Sequence, residues 1–172
     1  MMRVLGIDPG SRITGYALIE VNGGTSRYVD CGCIRTGEAA LPQRLKIIFA
    51  SLTEIILDAR PDTVAIESVF MNRNADSALK LGRAQGAAMC AAVSQDLDVT
   101  EYTPAQVKQA VVGKGNAAKE QIQHMVKILL GLSKSPQADA SDALAVALTH
   151  IHTSQTLAKV SQVSAARRGR MR

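Results

Sequence analysis

Apolar positions along this chain fall into two alternating rhythms, and the switch between them outlines the elements. Met2 to Asp8 is a short, largely apolar run closed by Pro9-Gly10-Ser11, the signature of a strand ending in a turn. Ile13 to Val21 continues as a strand, and Asn22-Gly23-Gly24 is a strong hairpin signal leading into a third strand from Ser26 to Ile34. From Pro42 to Ala59 the rhythm becomes helical: Leu45, Ile48, Phe49, Leu52, Ile55 and Ile56 recur at three- and four-residue steps. Thr63 to Glu67 is a short buried strand, followed by a polar Asn72-Arg73-Asn74 loop and a helix from about Ala75 to Ser94. Val99 to Tyr102 is the fifth strand. Helices follow from Pro104 to near Gly113, from Lys119 to Leu130, and from after Pro136 to about His152.

The order βββαβαβααα implies an α/β fold with a five-stranded mixed sheet. A three-stranded antiparallel meander comes first, and two parallel strands are then added through helical crossovers. Such a sheet sets the ends of the first and fourth strands side by side. After Gln155 the apolar periodicity fades and the chain turns basic at Arg167, Arg168, Arg170 and Arg172. The expected organisation is therefore one domain, 1–155, with a flexible basic tail, 156–172, suited to nonspecific phosphate contacts.

Charge sharpens the picture only when combined with particular acids. Of 172 residues, 20 are Lys or Arg and 15 are Asp or Glu. Asp8 ends the first strand, Glu67 ends the fourth, and Asp139 and Asp142 open the last helix three residues apart, on one face. Each has a plain alternative reading. Asp before Pro-Gly initiates turns, a strand-end Glu can face solvent, and acids in a first helical turn favour the macrodipole. Their conjunction is harder to dismiss, because carboxylates are costly to crowd unless a cation neutralises them. Mg²⁺ suits several carboxylates plus a phosphate, and a carboxylate cluster holding two such ions is a common means of cutting phosphodiesters. With those four acids consumed by metal, a strongly basic surface remains, as a polyanionic substrate requires.

Other residue types exclude more than they assign. Cys31 and Cys33 share a strand face but offer no CxxC spacing, and Cys90 lies in an Ala-rich helical stretch, so all three are expected as reduced thiols. His124, His150 and His152 form no ligand set, and Gly113-Lys114-Gly115 lacks the spacing of a phosphate loop. No apolar stretch is long enough to span a bilayer, and no basic region precedes a long apolar run at the start, so a cytoplasmic location without membrane attachment is expected.

Gly-Ile-Asp-Pro-Gly-Ser-Arg-Ile-Thr-Gly-Tyr, Ile-Glu-Ser-Val-Phe-Met-Asn-Arg-Asn, Asn-Ala-Asp-Ser-Ala-Leu-Lys-Leu-Gly-Arg-Ala-Gln-Gly and Gln-Ala-Asp-Ala-Ser-Asp-Ala-Leu-Ala occur here in that order. Together they resemble the RuvC-type crossover-junction endonucleases, the bacterial Holliday-junction resolvases, over about residues 3 to 153. The resemblance implies a ribonuclease H-like fold, a symmetric homodimer, and Mg²⁺ as cofactor, two ions per site, with Mn²⁺ as a substitute. It places the catalytic, metal-binding acids at Asp8, Glu67, Asp139 and Asp142. Asp8 would bridge two ions, with Glu67 on one and the helix aspartates on the other, leaving 5′-phosphate and 3′-hydroxyl ends.

The same resemblance implies four-way junction DNA as substrate and the RuvA–RuvB branch-migration complex as partner. It puts a DNA-contacting aromatic at Phe70 and junction-binding lysines at Lys108 and Lys119; Arg73, Lys80 and Lys114 join them on charge and location alone. Gly82 and Gly86, with Ala87, Ala88, Ala91 and Ala92, give the second helix a small-sided face, suited to its own sheet or to a two-fold helix pair. Two rivals differ in class: a junction-binding protein without catalysis, and a nuclease acting on RNA–DNA hybrids. The first turn also resembles the phosphate loop of sugar kinases, actin and Hsp70, but those duplicate the fold and this chain is too short for two copies.

Overall fold

Central strands with no polar side chain in mid-run dictate a sheet covered on both faces. The computed structural model describes residues 1–69 and 74–169, with 162–169 described by backbone alone. Strands β1 (Met2–Asp8), β2 (Ile13–Asn22), β3 (Thr25–Arg35), β4 (Thr63–Glu67) and β5 (Val99–Tyr102) form one sheet in the order β3-β2-β1-β4-β5. β1–β2 and β2–β3 pair antiparallel, while β1–β4 and β4–β5 pair parallel. This is the expected meander plus two crossover strands.

Strand alternation sorts the core into two layers. Leu5, Ile7, Leu18, Val64 and Ile66 point to one side, beneath α1 (Leu41–Ala59) and α2 (Ala75–Val93). Val4, Ala17, Ile19 and Ala65 point to the other, beneath α3 (Pro104–Val112), α4 (Lys119–Leu129) and α5 (Ala138–Gly169). Leu144, Leu148 and Ile151 of α5 are fully or almost fully buried in the second layer.

Two glycines decide how closely α5 lies on the sheet. A Cβ on Gly6 of β1 would stand 2.2 Å from the Ala143 carbonyl oxygen, and one on Gly15 of β2 would stand 2.0 Å from the Asp139 carbonyl oxygen. No side chain fits at either position, so backbone packs on backbone and the start of α5 is drawn over the ends of β1 and β2. Opposite Gly6, α5 presents Ala143 and Ala147, both buried.

The last helix departs from expectation. Instead of ending near His152, α5 continues to Gly169. Residues 153–169 contain no proline and no glycine before Gly169, so helix propensity persists where the apolar rhythm stops. What is lost there is burial: Leu157 and Val160 are exposed. Arg170 and Arg172 lie outside the described residues. Among the described residues no helix is long and apolar enough to cross a membrane.

Candidate active site

Parallel register delivers two carboxylates to one edge of the sheet. Ile7 of β1 pairs with Ile66 of β4, so the next residues, Asp8 and Glu67, leave their strands side by side. Asp8 is also the last residue of β1 in register with β2, opposite Gly15. The close approach of Asp139 to that same Gly15 brings the start of α5, with Asp139 in its first turn and Asp142 just after it, over this edge.

The result is a pocket of about 280 Å³ lined by Asp8, Glu67 and Asp142, with Lys108 and Lys119 at its side and Val107, Ile122 and Ala145 forming apolar walls. Asp139 does not line the cavity, yet its charge is felt at Asp8. The apolar walls account for the electrostatics. Burial, then the charges of Glu67, Asp142 and Asp139, push the Asp8 carboxyl from its ordinary 3.8 up to about 8, with Lys119 opposing. Burial and the Asp142 charge push Glu67 from 4.5 to about 7, against Lys119 and Lys108. Two strand-end acids thus retain protons near neutrality unless more positive charge arrives.

Lys119 supplies part of that charge. Its Nζ donates to Asp142 Oδ2 at 2.6 Å, and this bond is the chief reason its ammonium is held above its ordinary range. Lys119 is the first residue of α4, where the helix dipole disfavours a cation, so the carboxylate cluster is what offsets its placement. Lys108 is set by α3, whose start is fixed by a reciprocal cap between Thr103 and Gln106.

As they stand, no three of the described His, Cys, Asp or Glu side chains are gathered into a ready ligand set. The donor chemistry nevertheless fits a hard divalent cation. The donors are carboxylate oxygens, burial and then their mutual repulsion raise two of their pKa values, and an ammonium already pairs with one of them.

The remaining sequence candidates scatter. Lys80, on α2, pairs with Asp76 and lines a different pocket. Lys114 is exposed between α3 and α4, where Gly113 takes the left-handed conformation with φ 80° that ends α3, in keeping with a turn. Phe70 and Arg73 lie outside the described residues. Cys31 and Cys33 do share a face and line one cavity, free of disulfides, and Cys90 is exposed. His150 is taken up by the Tyr102 hydroxyl at 3.1 Å and His152 by the Ala110 carbonyl at 3.2 Å, while His124 is exposed. Sequence reasoning missed the apolar walls Val107, Ile122 and Ala145, which are ordinary helix-face residues until folding aims them at carboxylates. It also missed Gly15; its only signal was a glycine inside a strand, which marks close backbone approach.

A mixed sheet in this order, with acids at the paired ends of β1 and β4 and on the covering helix, has the organisation of a ribonuclease H-like nuclease. The family model for Crossover junction endodeoxyribonuclease RuvC matches residues 4–150. Curated relatives bearing that description include those of Hahella chejuensis, 55% identical over 100% of both chains, and Cronobacter sakazakii, 59% identical over 94% of each. Among solved structures, Thermus thermophilus RuvC in complex with Holliday junction substrate superposes with a TM-score of 0.84 at 36% identity, covering 91% of this chain and 96% of that one. The yeast mitochondrial Holliday junction resolvase Ydc2 shares the fold, with a TM-score of 0.62 at 12% identity. The chain belongs to the RuvC family of crossover junction endodeoxyribonucleases.

Proposed function

We propose that this protein resolves four-way (Holliday) DNA junctions in recombination and repair, cutting by paired symmetric nicks at the carboxylate site of Asp8, Glu67 and Asp142, with Asp139 beside them. Family membership supports the enzyme class and substrate. The observation that carries the site is the gathering of Asp8, Glu67 and Asp142 around one apolar-walled pocket, where burial first and the neighbouring carboxylates second push Asp8 up to about 8 and Glu67 to about 7.

Those four acids would hold Mg²⁺, two ions per site, with Mn²⁺ as a substitute. When bound, such ions supply an activated water and stabilise the leaving 3′ oxygen. The chain's own groups do the rest. Val107, Ile122 and Ala145 limit water around the carboxylates and strengthen their fields. Lys119 and Lys108 flank the pocket as phosphate contacts, and Lys119 orients Asp142 through its 2.6 Å bond. Phe70 and Arg73, three and six residues beyond Glu67 in sequence, would meet DNA at the crossover, and the exposed Lys114 would add a more distant phosphate contact.

A homodimer follows from the substrate's symmetry, since paired nicks need two like sites. α2 offers the surface. Ala84, Ala88, Ala91 and Ala92 face its own core, whereas Leu79, Gly82, Gly86 and Val93 follow one another at helical spacing on an open side. The RuvA–RuvB branch-migration complex as partner, a cytoplasmic location, and the division into a nuclease domain, 1–155, and a basic C-terminal segment, 156–172, complete the proposal.

The test offers the purified protein a mobile synthetic four-way junction, a matched linear duplex and an RNA–DNA hybrid, each with and without Mg²⁺. Paired symmetric nicks in the junction alone, and only with metal, are expected. Tight junction binding without nicks across sequences and metals would favour a structural role. Cutting of the hybrid would keep the site and overturn the substrate.

A further inference from the structure

A second polar pocket, of about 390 Å³, is lined by Ser11, Arg12, Arg44, Ser77, Lys80 and Leu81. It shares no lining residue with the carboxylate pocket. Three separate elements supply its cations: the β1–β2 turn gives Arg12, the first turn of α1 gives Arg44, and α2 gives Lys80. Ser77, in the first turn of α2, adds a hydroxyl at the positive end of that helix.

The pairing of these cations is weak or missing. Arg12 meets Glu38 at 3.2 Å with both side chains largely exposed, and Lys80 is paired, among the described residues, only with Asp76, one turn earlier on its own helix. Exposed pairs of this kind hold little free energy and yield readily to a better-placed anion. Arg44 has no carboxylate partner among the described residues. Its Nη1 donates to the Ser11 carbonyl at 3.5 Å, the outer limit of a hydrogen bond, and its buried Nε has no acceptor. An under-satisfied guanidinium beside two loosely held cations and a hydroxyl suits one ligand chemistry, a phosphate, whose oxygens match the arginine fork.

Position identifies the source of that phosphate. Ser11 is three residues from Asp8, so at most about 11 Å of chain separates their Cα atoms. Phosphates on one DNA strand recur about every 3.4 Å of axial rise, which puts the pocket within a few nucleotides of a phosphate held at Asp8. The connecting turn is braced: the Thr14 hydroxyl donates to the Gly10 carbonyl at 2.8 Å, and the Thr36 hydroxyl donates to the Ser11 carbonyl at 3.0 Å. The geometry points to Arg12, Arg44 and Lys80 as a pocket for a backbone phosphate of the strand being cut, which fixes that strand's register against Asp8. This assignment rests on the junction-cutting function proposed above.

The test measures junction affinity across a potassium chloride series, and single-turnover cleavage at saturating protein, for wild type, Arg44→Gln and Ser77→Glu. A lost phosphate contact should weaken binding about tenfold and lower the salt slope by about one in Arg44→Gln. The saturated cleavage rate should fall as well, because the strand loses its register. Ser77→Glu places a negative charge in the pocket at a helix position where glutamate is favourable, so it weakens binding without a folding cost. It decides the matter if thermal unfolding shows Arg44→Gln to be misfolded. Wild-type cutting with unchanged affinity and slope in the folded variants would overturn the pocket alone. A wild-type protein that neither binds nor cuts the junction would overturn the functional reading and the pocket with it.

Discussion

Replacing Asp8 by asparagine should make the metal-free protein more stable while it abolishes cutting. The Asp8 carboxyl is raised from 3.8 to about 8 in the folded chain, so between those values the folded state holds a proton that the unfolded state has released. Stability is therefore greatest below the ordinary carboxylate value and drains away as pH climbs toward 8. At pH 7 the gap from 3.8 corresponds to about 4 kcal/mol of destabilisation. Water entering the open pocket and a turn of Lys119 toward Asp8 would relieve part of it, leaving about 2 kcal/mol for Asp8→Asn to recover. For a chain of this size that is a rise in melting temperature of roughly 4–8 °C. The assay is thermal and urea unfolding of both proteins in a chelator near pH 5, 7 and 8.5. The advantage of Asp8→Asn should be small at the lowest pH, grow through neutrality and level off above 8. Saturating Mg²⁺ should erase it by stabilising the wild type. A variant less stable than wild type at pH 7 without metal, or an advantage flat across pH, would refute the electrostatic account.

Further outcomes follow from the same geometry. Gly15→Ala places a methyl group against the Asp139 carbonyl, so it should displace the first turn of α5 and cost both stability and cleavage, by at least about 1–3 kcal/mol in urea unfolding; an active, equally stable variant would contradict the packing argument. Mg²⁺ must drive protons from Asp8 and Glu67, so its affinity should rise with pH through about 7 to 8 and then level off, as calorimetry with proton-release measurements would show. Lys119→Gln removes the ammonium bonded to Asp142 and should weaken junction binding, reduce its salt slope by about one and raise the Asp8 pKa further. Gly86→Arg on the open side of α2 should shift the protein toward monomer in sedimentation and uncouple paired nicks; an unchanged dimer would move the interface elsewhere.

Most of the scaffold could be read in the sequence because its signals are local. Asn22-Gly23-Gly24 forces a hairpin, Pro42 and Pro104 mark helix starts, and Thr63 to Glu67 stands out as a buried strand of the same bounds in the structure. The meeting of Asp8 and Glu67 followed from topology, since parallel neighbours end together. Less could be read where tertiary packing decides. Nothing local shows that Gly6 and Gly15 accept helix backbone, or that Lys119, one lysine among many, reaches Asp142. Arg12 and Arg44 sit far apart in sequence and share a pocket only because the β1–β2 turn lies beside α1 and α2. The extension of α5 escaped notice because periodicity reports burial, and the helix runs on to Gly169 past the exposed Leu157 and Val160. Arg170, Arg172, Phe70 and Arg73 lie outside the described residues.

Parallel measurement of junction binding and single-turnover cleavage for Asp8→Asn, Glu67→Gln, Asp139→Asn and Asp142→Asn tests the central claim most directly. All four should bind the four-way junction within a few-fold of wild type yet cut it only at background in saturating Mg²⁺. Any one of them cutting at the wild-type rate would remove that acid from the site and contradict the account of a single four-carboxylate centre.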